Sequence, residues 1–411
     1  MIPSNKAKNQ VISIPLREAS LRRKIRRELR SLGFRKAGDG TLKVDSCDKA
    51  VVRRLHIPQR AERLSVNSEF LNRRADKLLR HFASGSDVEP ASIRPILERV
   101  YAGTWQADLF RLATLTWSVP VSNGFGRRLR YIVWDAHNDK LLGLIAIGDP
   151  VFNLAVRDTF IGWDANDRRE RLVNVMDAYV LGALPPYNAL LAGKMVACLI
   201  RTRQIYDDFA RTYGSSVGII SGKAKGARLL AVTTSSSMGR SSVYNRLRLG
   251  NVRYFQPIGY TRGWGHFHIS DDLFGELRDY LRSIGHKYAD QHRFGQGPNW
   301  RLRSTRAALT ALGLNSELLR HGIQRQVFIS NLASNAATIL CTGKGRPNLS
   351  SLLTVEQVAD LAHERWILPR AKRRTDYRIW SRSGILKLLD NPNVCPPPRP
   401  ISQRLSQKLA G

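Results

Sequence analysis

Three aspartates and two histidines are the residues of this chain whose types and spacing invite a catalytic reading. Asp158 and Asp164 lie in RDTFIGWD, and Asp177 lies in VNVMDAY. Converging carboxylates can hold Mg²⁺ for phosphodiester hydrolysis or strand transfer, because the metal orients the attacking oxygen and neutralises the charge that develops. No D…D…E spacing or D…ExK pattern accompanies them, and Arg157, Arg168 and Arg169 stand ready to take them as ion pairs. A nuclease or strand-transfer enzyme built on Asp158 and Asp177 is therefore the alternative reading, with Mg²⁺ as its cofactor; otherwise no cofactor and no metal are expected. His266 and His268 alternate in WGHFHI, so on a strand both would face one side. A metal needs a third ligand and a fixed outer shell, and none is evident in the neighbouring sequence.

A second set of residues suits phosphate. TTSSSMGRSSVYNRL carries serines, a glycine and arginines, but no G-x-S-x-G elbow that would make a serine a nucleophile. Nor does the chain contain G-x-x-x-x-G-K-[ST], the signature of a P-loop ATPase. Hydroxyls, glycine amides and guanidiniums bind phosphate oxygens, and planar rings stack on unpaired bases. On that chemistry the candidate nucleic-acid contacts are Arg240, Arg246, Arg262, Trp264, Arg293 and Arg301, with Tyr244 and Tyr260 as further rings. RFGQGPNWRLR repeats the mixture of glycine, arginine and tryptophan.

The composition supports the same partner. The 411 residues hold 66 Lys and Arg against 33 Asp and Glu, a net charge of +33. Such a surface binds polyanions through counterion release, so nucleic acid, DNA first, is the expected partner. A scaffold that docks acidic proteins is the remaining alternative. The hydrophobic content of 43% is enough for sizeable cores, and the length suggests two or three domains. Cys47, Cys198, Cys341 and Cys395 are widely separated with no CxxC pair, which excludes a zinc ribbon and points to reduced thiols. There is no apolar signal core and no run long enough to span a bilayer. The expectation is a cytoplasmic protein with no membrane partner.

These residues must be positioned by a mixed fold. The first 80 residues carry 21 Lys and Arg against 8 Asp and Glu, and they read as basic helices. Ser20 is placed to cap LRRKIRRELRSLGF, whose apolar stripe is Leu21, Ile25, Leu29 and Leu32, with Gly33 ending it. EFLNRRADKLLRHFA repeats that style, and SGSDVEP reads as a linker. RLRYIVWD and LLGLIAIG predict a β-hairpin around AHND. YNALLAGKMVACLIRTRQIYDDFARTYG predicts one long amphipathic helix. ARLLAVTT, VRYFQPIG, WGHFHI and QVFIS predict strands, and DDLFGELRDYLRSIG and RLRSTRAALTALGL predict helices. The domains expected are a basic helical region over 1–85, an α/β core with a helical extension over 86–340, and a basic helical appendage with a flexible tail over 341–411.

The order of these elements resembles the acyltransferase fold called GNAT. LLGLIAIG matches its central strand, and SSVYNRL followed by FQPIGY is similar to its final helix and strand. The resemblance implies an α/β (α+β) class with a GNAT-like mixed sheet. The family's phosphate-gripping loop, (Arg/Gln)-x-x-Gly-x-(Gly/Ala), is absent: LPPYNALLAG stands in its place, and Pro186 lacks the backbone N–H that a pyrophosphate would use. A second resemblance is more specific. RDTFIGWD, VNVMDAYVLGALPPYN, TTSSSMGRSSVYNRL, PIGYTRGWGHFHI and RFGQGPNWR, in this order, look like the DruA family of Druantia antiphage defence systems. GRRLRYIVWD and HERWILPRA extend the likeness to roughly residues 90–375. It implies bacterial immunity and partnership with other Druantia proteins, a large helicase-like one among them, but brings no catalytic residues.

Overall fold

RLRYIVWD and KLLGLIAIG form the expected antiparallel hairpin, and the rest of the sheet is laid on either side of it. The computed structural model describes residues 14–38, 40–44, 48–215, 226–290 and 298–393. Its main sheet has seven strands: β1 (Pro95–Arg99), β2 (Arg128–Asp135), β3 (Lys140–Gly148), β4 (Val175–Ala183), β5 (Ala231–Ser235), β6 (Gln256–Tyr260) and β7 (Gln326–Asn331). The spatial order is β6-β7-β5-β4-β3-β2-β1. All neighbours are antiparallel except β4 and β5, which run parallel from Val175↔Ala231 to Asp177↔Thr233.

The helices used below are α1 (Ile14–Ser31), α2 (Ile57–Val66), α3 (Ser68–Leu79), α4 (Trp105–Leu115), α5 (Ala192–Leu199), α6 (Arg203–Tyr213), α7 (Asp271–Ser283), α8 (Pro298–Ala311), α9 (Val355–Ala362) and α10 (Gly384–Asp390). β3 is buried along nearly its whole length because helices cover both of its faces, which explains its unbroken apolar run. On one face Leu129, Tyr131, Val133, Ile145 and Ile147 pack with residues of α5, α6 and α9. On the other, Ile132, Leu144, Ala146 and Val180 pack with α3, α4 and α10. α4 starts where Thr104 Oγ1 accepts the Ala107 N–H, and it buries Leu109, Leu112 and Ala113 on one stripe.

The chain divides into two compact units, each assembled from two separate stretches. A sheet unit comprises 48–261 and 324–411, and a helical unit comprises 1–47 and 262–323. In the helical unit α1 packs on α7: the Tyr280 hydroxyl donates to Glu18 (2.8 Å), and Arg22 reaches the Leu312 carbonyl (2.7 Å). Leu21, Ile25 and Leu29 are buried as the periodicity predicts. The helix begins at Ile14, so Ser20 lies inside it rather than capping it.

Three other expectations change. The long helix over 187–214 is broken after Leu199, because Thr202 turns its hydroxyl back onto the Leu199 carbonyl and pairs with Leu353. WGHFHI is a turn leading into α7, not a strand: the Ile269 N–H closes onto the His266 carbonyl, and Ser270 caps α7 at Leu273. SGSDVEP holds a short helical turn, and Gly85 is so tightly packed that a Cβ there would lie 2.1 Å from the Tyr377 carbonyl oxygen. Among the described residues no helix is long and apolar enough to cross a membrane.

Candidate nucleic-acid interface

The serine run ends β5 and starts a tight polar turn. The Ser236 N–H donates to the Gln326 carbonyl (2.8 Å), and the Gln326 N–H returns to the Gly239 carbonyl (3.3 Å). Gly239 permits this with φ 71°. Ser241 Oγ then accepts the N–H groups of Val243 (3.1 Å) and Tyr244 (3.0 Å). That serine holds a turn and is not presented as a nucleophile. Asn245 ties the turn down by donating to the Ser241 carbonyl (2.7 Å) and Gln326 Oε1 (2.9 Å).

Arg246 follows in the left-handed region, φ 57°, where a residue with a Cβ is disfavoured. The chain then makes a two-stranded ribbon, Arg248–Leu249 against Val252–Arg253, around Gly250 (φ 56°) and Asn251. Leu249 is buried and anchors it. Its register sets Arg248 directly opposite Arg253. Like charges facing each other across a pair of strands repel, and an anion bound between them would remove the repulsion. Arg240, Arg246, Arg248 and Arg253 are all exposed, and within the described residues none makes a hydrogen bond, ion pair or ring contact.

Arg262, Trp264 and Arg301 lie in the helical unit. Arg262 is exposed at its start, and Trp264 is half-buried with Arg306 over its ring at 5.2 Å. Arg301 pairs with Asp271, donates to the Ile269 carbonyl (2.7 Å) and lies 4.6 Å from the Phe274 ring centre. Its guanidinium is thus occupied within the unit. Arg293 lies outside the described residues. Tyr244 is not a stacking platform, since its ring packs on Phe255 and Phe328 and its hydroxyl donates to the Leu181 carbonyl (3.2 Å). Tyr260 remains 47% exposed and available. Arg248 and Arg253 were missed in the sequence, although the glycine–asparagine turn in RLGNVR was the signal that pairs them.

The seam between the parallel strands is closed by the protein's own side chains. Beyond Asp177↔Thr233 the strands stop pairing. Thr234 Oγ1 donates to the Ala178 carbonyl (2.9 Å) and Tyr244 to Leu181, so the β4 carbonyls there are satisfied internally. Asp177 accepts from Thr233 Oγ1 (2.8 Å). Burial pushes its carboxyl up to about 6, against the opposing pull of that hydroxyl and of Arg157.

Asp158 is taken up in ion pairs. Arg157 donates to its Oδ1 from Nε (2.9 Å) and from a terminal nitrogen (2.7 Å), while Arg168 donates to Oδ2 (2.9 Å). Arg157 is fully buried and also donates to the Val151 and Phe152 carbonyls, both at 2.9 Å. Its charge acts on Asp177 as well, so the two carboxylates share a guanidinium. Asp164 caps the helix Ala165–Arg171 by accepting from the Asn166 (2.7 Å) and Asp167 (2.8 Å) N–H groups. His268 is buried beside the Leu318 carbonyl (2.9 Å), and burial holds both His266 and His268 down to about 4. Among the described residues no group of three or more His, Cys, Asp or Glu side chains is placed to hold a metal ion.

Comparison with known proteins adds a lineage to this geometry. Residues 46–342 match a protein family described as Druantia protein DruA. A curated relative named Druantia protein DruA, from Escherichia coli (strain UMEA 4076-1), is 61% identical over 388 residues. That alignment covers 94% of this chain and 96% of the relative. No solved structure matches the chain.

Proposed function

The chain belongs to the DruA family of Druantia proteins, and from that premise we propose that it is the nucleic-acid-binding component of a Druantia antiphage defence system. DNA is the ligand, other Druantia proteins including a helicase-like one are the partners, and the cytoplasm is the place of action. The observation that carries the reading is the set of four exposed arginines on the Gly239–Arg253 segment whose side chains have no partner among the described residues, two of them held face to face by the ribbon. Phosphate oxygens are the counter-charge that such an arrangement accepts. The helical unit offers Arg262 and Trp264 as candidate contacts of its own; Arg293 completes the set with Arg301, which would have to exchange Asp271 for a phosphate.

The sheet supports a GNAT-like ancestry within this proposal: a mixed seven-stranded order in which only the two central neighbours β4 and β5 run parallel. The closed seam argues that the fold was kept for its surface rather than for an acyl donor between those strands. The nuclease alternative draws less support, because Arg157 and Arg168 already neutralise Asp158.

The test is fluorescence anisotropy with labelled single- and double-stranded DNA and RNA across a salt series, with and without Mg²⁺. Replacing Arg240, Arg246, Arg248 and Arg253 with alanine should lower affinity. It should also flatten the salt dependence by up to about 0.9 in slope for each phosphate that is no longer neutralised. An unchanged slope removes this surface from the interface. Mg²⁺-dependent cleavage that disappears in Asp177→Asn with the fold intact would instead establish the enzyme.

A further inference from the structure

The sheet unit contains a cleft that none of the residues discussed so far explains. It lies between α2, α4 and the sheet, has a volume of about 460 Å³, and falls in the size range of small-ligand sites, roughly 300–1,000 Å³. Its walls are basic and aromatic together: Arg63, Arg111 and Arg130 on one hand, Phe110, Trp117 and Tyr179 on the other. The hydrogen-bond partners of the three guanidiniums are neutral. Arg63 donates to the Val121 carbonyl (3.1 Å), Arg111 to Asn67 Oδ1 (2.8 Å), and Arg130 to the Tyr179 hydroxyl and the Asn123 carbonyl (both 3.3 Å). Among the described residues the one carboxylate lining the cleft, Asp108, faces Arg74 at 3.5 Å. Three positive charges with no carboxylate partner among the described residues, in a concave site, focus the field on an anion.

The aromatic wall is deliberately placed. Ile147 pairs with Ala178 and Ala146 with Val180, so Tyr179 is the extra residue of a bulge in β4. Bulges re-aim a side chain out of the regular alternation. Two glycines lie close against the ring: a Cβ would come within 2.7 Å of it at Gly124 and 3.0 Å at Gly148. Trp117 lies beside Gly182 more loosely, at an ordinary contact distance of 3.5 Å from where a Cβ would stand. A ring fixed by backbone on one side and open to a basic cleft on the other is suited to stacking a base while nearby guanidiniums hold its phosphate.

We propose that this cleft binds a phosphorylated nucleoside, its base against Tyr179 and Trp117 and its phosphate on Arg63, Arg111 and Arg130. The inference deepens the nucleic-acid reading and rests on it where the nucleoside belongs to a strand. The same chemistry is offered by a free nucleotide, and the test separates the two sources.

The experiment titrates the full chain with thymidine 5′-monophosphate and, separately, with a 5′-phosphorylated tetrathymidylate, following tryptophan fluorescence. The expected result is saturable binding of at least one probe. Affinity should fall about tenfold or more in Arg63→Ala/Arg130→Ala and in Tyr179→Leu, and Tyr179→Phe should retain it because the ring remains. The loss in Tyr179→Leu should persist in an Arg248→Ala/Arg253→Ala background, so a failure of the arginine ribbon cannot be mistaken for a failure of the cleft. Preference for the tetranucleotide assigns the site to a strand, and equal affinity assigns it to a free nucleotide. No binding of either probe overturns the proposal. So do a Tyr179→Leu protein that binds as before, a Tyr179→Phe protein that loses binding, and inorganic pyrophosphate or polyglutamate competing where nucleotides do not.

Discussion

At the scale of single residues, Arg246 and Asp177 each carry a cost that the fold retains. Arg246 sits at φ 57°, a conformation that costs a residue with a Cβ on the order of 1 kcal/mol relative to glycine. Arg246→Gly should therefore hold or raise stability while weakening DNA binding. Loss of both in one variant would show that the arginine serves the fold. Asp177 has a carboxyl raised to about 6 by burial, so its stabilising contribution is complete below the ordinary value of 3.8 and disappears as pH rises through 6. At pH 7 the ionised side chain is a net cost. Asp177→Asn should stabilise the protein by roughly 1–2 kcal/mol at pH 7.5, a discounted form of the shift, and change nothing at pH 4. Urea midpoints at the two pH values decide the matter; equal effects at both would place the cause outside ionisation.

At the scale of elements, what holds the loop after β3 is a buried ion pair rather than apolar packing. Val151, Phe152 and Phe160 are 39 to 42% exposed, while Arg157 beneath them is wholly buried with Asp158. Removing the guanidinium in Arg157→Leu takes its donors from two carbonyls and from Asp158, and should cost about 3–5 kcal/mol. A midpoint within experimental error of the parent would sink that account. The elements also differ in how readily the sequence reveals them. The β2–β3 hairpin was readable because its apolar runs and polar turn are local signals, and QVFIS became β7 for the same reason. The long helix was not, because its break depends on Thr202 meeting Leu353 far along the chain. WGHFHI has a strand's alternation but becomes a turn because Ser270 starts a helix at once. The candidate carboxylates had arginines beside them in sequence, and Asp158 is paired with two of these. Arg248 and Arg253 escaped notice because a ribbon two residues deep has too little periodicity to read. The Tyr179 bulge is a property of pairing, and no composition announces it.

At the scale of the whole molecule, three histidines set an acid limit in both units. His56 in the sheet unit and His266 and His268 in the helical unit are held neutral, with burial lowering each to about 4 from 6.5. Unfolded, they would take up protons below 6.5, so stability present above that value is lost as pH falls towards 4. The melting temperature should drop steadily between pH 6.5 and 4.5, and His268→Leu should flatten part of that slope. A melting temperature independent of pH over this interval would falsify the assignment. On the proposed function, the positive charge that runs through the chain would make DNA binding sensitive to salt, with affinity falling steeply as salt rises.

The discontinuous helical unit has a consequence for how the protein is made. α1 leaves the ribosome well before α7, against which it packs and which lies in a stretch that begins at Arg262. At about 5–20 residues per second, the intervening two hundred or so residues take roughly 10–40 s to synthesise. Throughout that interval the stripe of Leu21, Ile25 and Leu29 is exposed on a nascent basic segment with no native surface to cover it. β6 likewise waits for β7 until the inserted stretch 262–323 has emerged. Each polypeptide therefore passes through a period in which α1 waits for its packing surface, and slowing translation between residues 48 and 262 should lower the yield of folded protein.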